Sequence, residues 1–271
     1  MDIDVNEIRG FLQDRNKTQK LVTLCIERLL EKYKVEWGDH ENTSSRIEIL
    51  STALNSFYPQ AINFVYDYSQ SEIEKLFINS FVICFLFGDP LRLKFEPAKE
   101  QGFDEIQKTR EYLKIMLEID KQRFEETGET NGWFRYIDFL LETGEIPKEQ
   151  HEFYFYDYIL THGMNYYDAF YVTLQTSFRE IKIDGKFIRP DMFIWKPSDE
   201  NYNLVVECDG FQFHSGKGSF ISDRKRDRHL RSLGFDILRF SGSEIYNDPV
   251  RMGKELFEYL QKTGTQGQKR T

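Results

Sequence analysis

Three acidic side chains stand where a chain rarely leaves them uncompensated. Asp191 follows Arg189-Pro190, just past the strand-like Phe187-Ile188, and Glu207 and Asp209 close the apolar run Leu204-Val205-Val206. Such a run asks for burial on both faces of a sheet, so the three carboxylates fall at strand ends against a core. Buried carboxylates are costly, and a divalent cation is one common way to stabilise a cluster of them. His214 lies a few residues on, with a side chain suited to acid or base work near neutral pH. Lys217, Arg224, Lys225, Arg226, Arg228 and Arg231 then crowd into fifteen residues, a density that suits phosphate contacts. Each feature has a plainer reading when taken singly. Strand-end carboxylates cap turns, a lone histidine is usually structural, and a charged helix face is usually solvated.

The combination is more specific than its parts. Asp191 followed by Glu207-x-Asp209 resembles the PD-(D/E)XK nuclease superfamily, with Asp209 where that superfamily usually has Lys. The continuation is Gly210-x-x-x-His214, Asp223-x-x-Arg226-x-x-x-Leu230, Gly234-Phe235-x-x-Leu238-Arg239-Phe240 and Gly242-x-Glu244-Ile245. It is similar to a branch of endonuclease-like domains related to the very-short-patch-repair mismatch endonucleases. The resemblance covers about a hundred C-terminal residues. It implies an α/β restriction-endonuclease-like core, a mixed sheet of about four strands flanked by helices, laid out as helix, three strands, helix, strand, helix. It also implies a first helix carrying a glutamate that points to the metal site. Glu74, in Ser71-x-x-Glu74-x-x-Phe77, matches that signature, although Ser-x-x-Glu is also a plain capping box. Glu152, on the helix expected just before Tyr166, is the rival.

On this reading the chain hydrolyses phosphodiesters with Mg2+, for which Mn2+ can substitute. Hard oxygen ligands suit Mg2+, and a carboxylate-held cation both activates water and neutralises phosphoryl charge. Asp191, Glu207 and the backbone carbonyl of Cys208 are the expected ligands. Asp209 cannot supply positive charge; it would bind a second cation, orient a water or set the tautomer of an imidazole. Arg226 would replace the missing lysine's charge, oriented by Asp223 one turn earlier. Asp191, Glu207, Asp209, His214, Glu74 and Arg226 thus form the expected catalytic set. Lys217, Arg224, Lys225, Arg228 and Arg231 form the expected nucleic-acid contacts. The expected partner is DNA, with RNA a second option. The competing class is a nuclease-derived binding or scaffold subunit without turnover, for which the carboxylate cluster has no physical use. A role in restriction, repair or phage defence follows by analogy alone.

The net charge of −9 argues against a polyanionic partner only until it is divided. Residues 1–165 carry −11 and residues 166–271 carry +2, so the motif region is the mildly positive part. The acidic part suits contact with a protein. The N-terminus lacks a signal-like apolar segment, and the apolar run Leu76 to Phe87 is too short to span a bilayer. Cys25, Cys84 and Cys208 are too scattered for a zinc site or a disulfide framework and suit a reducing cytoplasm.

The spacing predicts helices over Val5–Leu12, Lys17–Val35, Arg46–Tyr58 and Ser71–Phe87, the last ended by Gly88-Asp89-Pro90. After a polar stretch come helices over Phe103–Glu126, Trp133–Leu141 and Lys148–Thr161. From about Tyr166 the pattern turns to strands: Tyr171–Leu174, then Phe178–Ile183 with Lys186–Trp195 as a hairpin about Asp184-Gly185, then Asn203–Cys208. A helix over Ser222–Ser232, a strand over Phe235–Phe240 and a helix from Asp248-Pro249 to about Lys262 complete the chain. The expected organisation is a helical region 1–66, the first core helix within 67–90, a helical insertion 91–165, the nuclease core 166–262 and a polar tail 263–271.

Overall fold

The structure, a computed structural model, describes residues 5–38, 43–96, 102–129, 144–145, 147, 169–210 and 217–264, with the side chains of 217–220 excepted. The helices expected over 133–141 and 148–161, with His151, Glu152, His162 and His214, lie outside the described residues.

Five described helices precede the strand-rich part: α1 (Val5–Leu12), α2 (Arg15–Trp37), α3 (Thr43–Tyr68), α4 (Glu72–Gly88) and α5 (Phe103–Thr127). Asp14 caps α2 by accepting the Lys17 N–H at 2.9 Å, and Ser71 caps α4 by accepting the Glu74 N–H at 3.2 Å. Helix α3 does not stop at Tyr58, where the expected helix ended. It runs through Pro59, because Ala61, Ile62 and Val65 on its far side are fully buried in the core. That burial outweighs the one backbone hydrogen bond and the steric strain that an internal proline costs.

The central sheet has the order β1-β2-β5-β6-β7, from β1 (Leu93–Phe95), β2 (Phe170–Leu174), β5 (Met192–Lys196), β6 (Asp199–Asp209) and β7 (Asp236–Ser241). The β1/β2 and β6/β7 pairs are parallel; β2/β5 and β5/β6 are antiparallel. The mixed α/β sheet flanked by helices is as expected, with five strands for the expected four. The extra one, β1, spans three residues, too few to show a period in sequence.

The predicted partner strand Lys186–Trp195 is in fact two strands. Its first part, β4 (Lys186–Ile188), pairs with β3 (Phe178–Ile183) in a separate two-stranded sheet, and its second part, β5, crosses into the central sheet. Pro190 falls at the break: it has no N–H to give a ladder and confines the residue before it. The chain therefore changes sheets immediately before Asp191.

Strand alternation divides the core in two. Leu204 and Val206, with Met192, Ile194, Val172 and Leu174, pack with α2, α3, α4 and the C-terminal helix α8 (Pro249–Gly264). Val205, Phe193, Trp195 and Tyr171 pack on the opposite face with α5, the β3–β4 sheet and Leu230 of α6 (Lys217–Ser232). This three-layer arrangement is why the central strands read as continuous apolar runs. On the first face α4 and α8 touch backbone to backbone: a Cβ at Gly253 would lie 2.6 Å from the Phe81 nitrogen. A short helix α7 (Gly242–Asn247) with a full Ser241/Glu244 capping box links β7 to α8.

Candidate active site

The carboxylates gather where β5 begins and β6 ends. Cys208 pairs with Phe240 and Glu207 with Arg239 across β6/β7, which aligns the end of β6 with the Leu-Arg-Phe strand. The Cys208 N–H donates to Asp191 Oδ2 at 2.7 Å, fixing Asp191 against the neighbouring strand. Gln175, one residue past β2, donates through Nε2 to Asp191 Oδ1 at 3.1 Å and to Glu74 Oε2 at 3.0 Å. Its backbone N–H also bonds the Asp191 carbonyl, and its φ of 55° lies in the left-handed region. Non-glycine residues there are uncommon and cluster at functional places. Glu74 is held from α4 by the Ser71 hydroxyl and the Gln70 N–H, at 2.9 and 2.8 Å. One amide thus joins a carboxylate from each of two elements.

Glu207 is the most confined of the set. It is 5 % exposed, and its Oε1 lies 2.5 Å from Arg226 Nη2 of α6. Neither atom is aligned for a hydrogen bond, and neither makes another among the described residues. Burial, followed by repulsion from Asp191 and Asp209, pushes the Glu207 carboxyl up to about 8 against the pull of Arg226 and Arg239. Burial likewise raises Asp191, opposed by the Cys208 N–H, and raises Glu74, opposed by the Gln70 N–H. The Cys208 thiol packs against the core, and burial, followed by the surrounding carboxylates, pushes it up.

Asp209 sits beside a second guanidinium. Arg239 Nη1 donates to it at 2.8 Å, and Arg239 Nε and Nη2 grip Asp227 of α6. Hydrogen bonding to Asp227 and the charges of Asp209 and Glu207 raise the Arg239 pKa, overcoming the effect of its burial. Positive charge therefore reaches the cluster from two arginines. Sequence reasoning singled out Arg226 and missed the roles of Arg239 and Gln175.

Helix α6 has two faces. Asp223, Arg226, Asp227 and Leu230 are half-buried or buried toward the sheet, while Arg224, Lys225, Arg228 and Arg231 are exposed. Lys217 opens the helix, and its side chain, like His214, is outside the described set.

A divalent cation fits this donor set. Among the described residues no three His, Cys, Asp or Glu side chains are disposed to hold a metal ion. Asp191 is half-buried and Glu207 buried, and Glu207 Oε1 lacks an aligned donor. Arg226 offsets the burial of Glu207 only in part, since its carboxyl stays pushed up, and a cation would offset the rest.

The family model REase_MTES_1575 matches residues 176–260, which hold Asp191, Glu207, Asp209, α6 and β7. Glu74 and Gln175 fall outside the matched segment. No curated protein and no solved structure matches the chain. Among the described residues no helix is long and apolar enough to cross a membrane. The match and the fold together support a restriction-endonuclease-like, nuclease-type domain over the C-terminal part of the chain.

Proposed function

We propose that this chain is a metal-dependent endonuclease that hydrolyses phosphodiester bonds in DNA, in a restriction, repair or phage-defence setting. The observation that carries this is Glu207, a buried carboxylate beside Asp191 with no aligned hydrogen bond. Asp191, Glu207 and the Cys208 carbonyl would hold Mg2+, or Mn2+ in its place. The ion would lower the pKa of an attacking water and neutralise charge on the phosphoryl oxygens. Gln175 keeps Asp191 and Glu74 oriented. Arg226 supplies positive charge beside Glu207, and Arg239 holds Asp209 in position. His214 is assigned the proton transfer, and the outward row of α6 takes the phosphates on either side of the scissile bond.

The family branch related to very-short-patch-repair enzymes remains part of the proposal, supported by the Glu207-x-Asp209-Gly210 and Leu238-Arg239-Phe240 runs. So does the organisation: a core from 67–90 and 166–262, a helical insertion over 91–165, and the acidic residues 1–165 as a protein-contacting surface. The packing of α4 between the N-terminal helices and α8 supports its assignment to the core.

A nuclease fold that binds without cutting is the second reading. The Glu207–Arg226 ion pair favours it, since that contact partly neutralises Glu207 without a cation. Incubation of the purified chain with supercoiled plasmid, linear duplex and single strands, in Mg2+, Mn2+ or EDTA, decides between them. Metal-dependent strand scission supports the enzyme; binding without scission in every metal supports the scaffold.

A further inference from the structure

The β3–β4 hairpin carries an aromatic ring that the core does not use. Ile188 points inward to Phe178 and Phe193, whereas the adjacent Phe187 is 52 % exposed. Single exposed apolar residues are ordinary, but three features set this one apart. Lys182, its direct cross-strand partner, places Nζ 4.7 Å from the ring centroid and so covers one face. The chain runs from Phe187 through Arg189-Pro190 straight to Asp191, about 13 Å of extended backbone at most. The hairpin is also braced on both sides: Lys225 of α6 pairs with Asp184 at its turn, and Arg189 donates to Gln70 beside α4 at 3.0 Å.

The charge around the ring has one sign to offer. Arg179, Lys182, Lys186 and Arg189 are exposed on the hairpin. Its two acids are engaged, Glu180 accepting the Phe103 N–H at 2.9 Å and Asp184 pairing with Lys225. The hairpin turn thus meets the outer row of α6 at the Lys225–Asp184 pair, and its second strand leads on to Asp191. A ring flanked by cations suits a nucleic-acid strand, and a ring with one face covered can take only one stacking partner. A base can stack on it only when it is out of the duplex.

Resting on the nuclease reading, we propose that Phe187 is a stacking platform for an unpaired base lying a few nucleotides from the scissile phosphate. Lys182 and Lys186 hold the adjoining backbone. The preferred substrate is then single-stranded nucleic acid, or a duplex with a locally unpaired strand beside the cleavage point.

The test measures binding by fluorescence anisotropy in EDTA, so that it does not depend on turnover, with a labelled single strand and the matching perfect duplex. Phe187→Ala is expected to weaken single-strand binding by about ten- to a hundredfold, the size of one base–aromatic stack. It should leave duplex binding and the salt slope unchanged, and Phe187→Trp should keep the affinity. Lys182→Ala with Lys186→Ala should lower the slope of log K against log salt by about 0.7 for each lost contact. Circular dichroism confirms that the exposed substitutions leave the fold intact. Unchanged single-strand binding in Phe187→Ala, or an equal loss on duplex, overturns the platform. Metal-dependent cleavage of duplex by a wild-type chain with no affinity for unpaired strands overturns this substrate class while leaving the nuclease reading standing. Neither binding nor cleavage of any substrate overturns both.

Discussion

Replacing Glu207 by Gln in the metal-free protein should stabilise it, and increasingly so as pH rises. The carboxyl is 5 % exposed and held near 8 by burial, against an ordinary value of 4.5. Because the folded state binds this proton more tightly than the unfolded state, stability falls as pH rises from about 4.5 to about 8 and is level above. Each pH step in that window costs about 1.4 kcal/mol, an upper limit of about 5 kcal/mol. Relaxation around a buried ion and the facing Arg226 reduce this, and about 2 kcal/mol is the expected net effect. For a chain of this size that corresponds to a Tm difference of about 5 °C. Thermal melts of wild type and Glu207→Gln in EDTA, from pH 5 to pH 9, should coincide at the acid end and separate by that amount at the alkaline end. Adding Mg2+ should raise the wild-type Tm at pH 8 by mass action and leave Glu207→Gln nearly unmoved. A variant that is less stable than wild type at pH 9 would refute the reasoning, since Glu207 would then contribute through its ion pair with Arg226.

Three further variants probe the same region. Neutralising Arg224, Lys225 and Arg228 together should weaken nucleic-acid binding and lower its salt slope by just under one for each lost duplex phosphate contact, with little change in single-turnover cleavage; Arg226→Ala, on the inner face, should lose turnover more than binding. Gln175→Ala, which frees Asp191 and Glu74 from their shared amide, should cost about 1 kcal/mol in urea unfolding and reduce kcat more than affinity; equal loss of both would make Gln175 purely structural.

How much of this was legible in the sequence depended on how local the signal was. Asp191, Glu207 and Asp209 declared themselves because acids ending apolar runs break a pattern that burial imposes. The two faces of α6 followed from the helical period alone. Pro190 was visible, yet the strand was drawn straight across it, because a break that sends one half of a strand to another sheet depends on where the partner strands lie. Helix α3 crosses Pro59 for a similar reason: the burial of Ala61, Ile62 and Val65 is a tertiary contribution that no local rule contains. Gln175 carries no charge and belongs to no period, so nothing in its neighbourhood advertised the bridge between Asp191 and Glu74. Arg239 did leave a trace. It is a charged residue inside an apolar β7 segment paired opposite Glu207, and asking what neutralises it would have pointed to Asp209 and Asp227.

The central claim is that Asp191 and Glu207 hold the cation that cleavage requires. The direct measurement is Mg2+ binding by calorimetry alongside plasmid nicking for wild type, Asp191→Asn and Glu207→Gln, each shown to be folded. The account predicts that wild type binds Mg2+ and cuts, while both variants lose metal binding and cleavage together. Wild-type levels of Mg2+-dependent cleavage in either variant would contradict it.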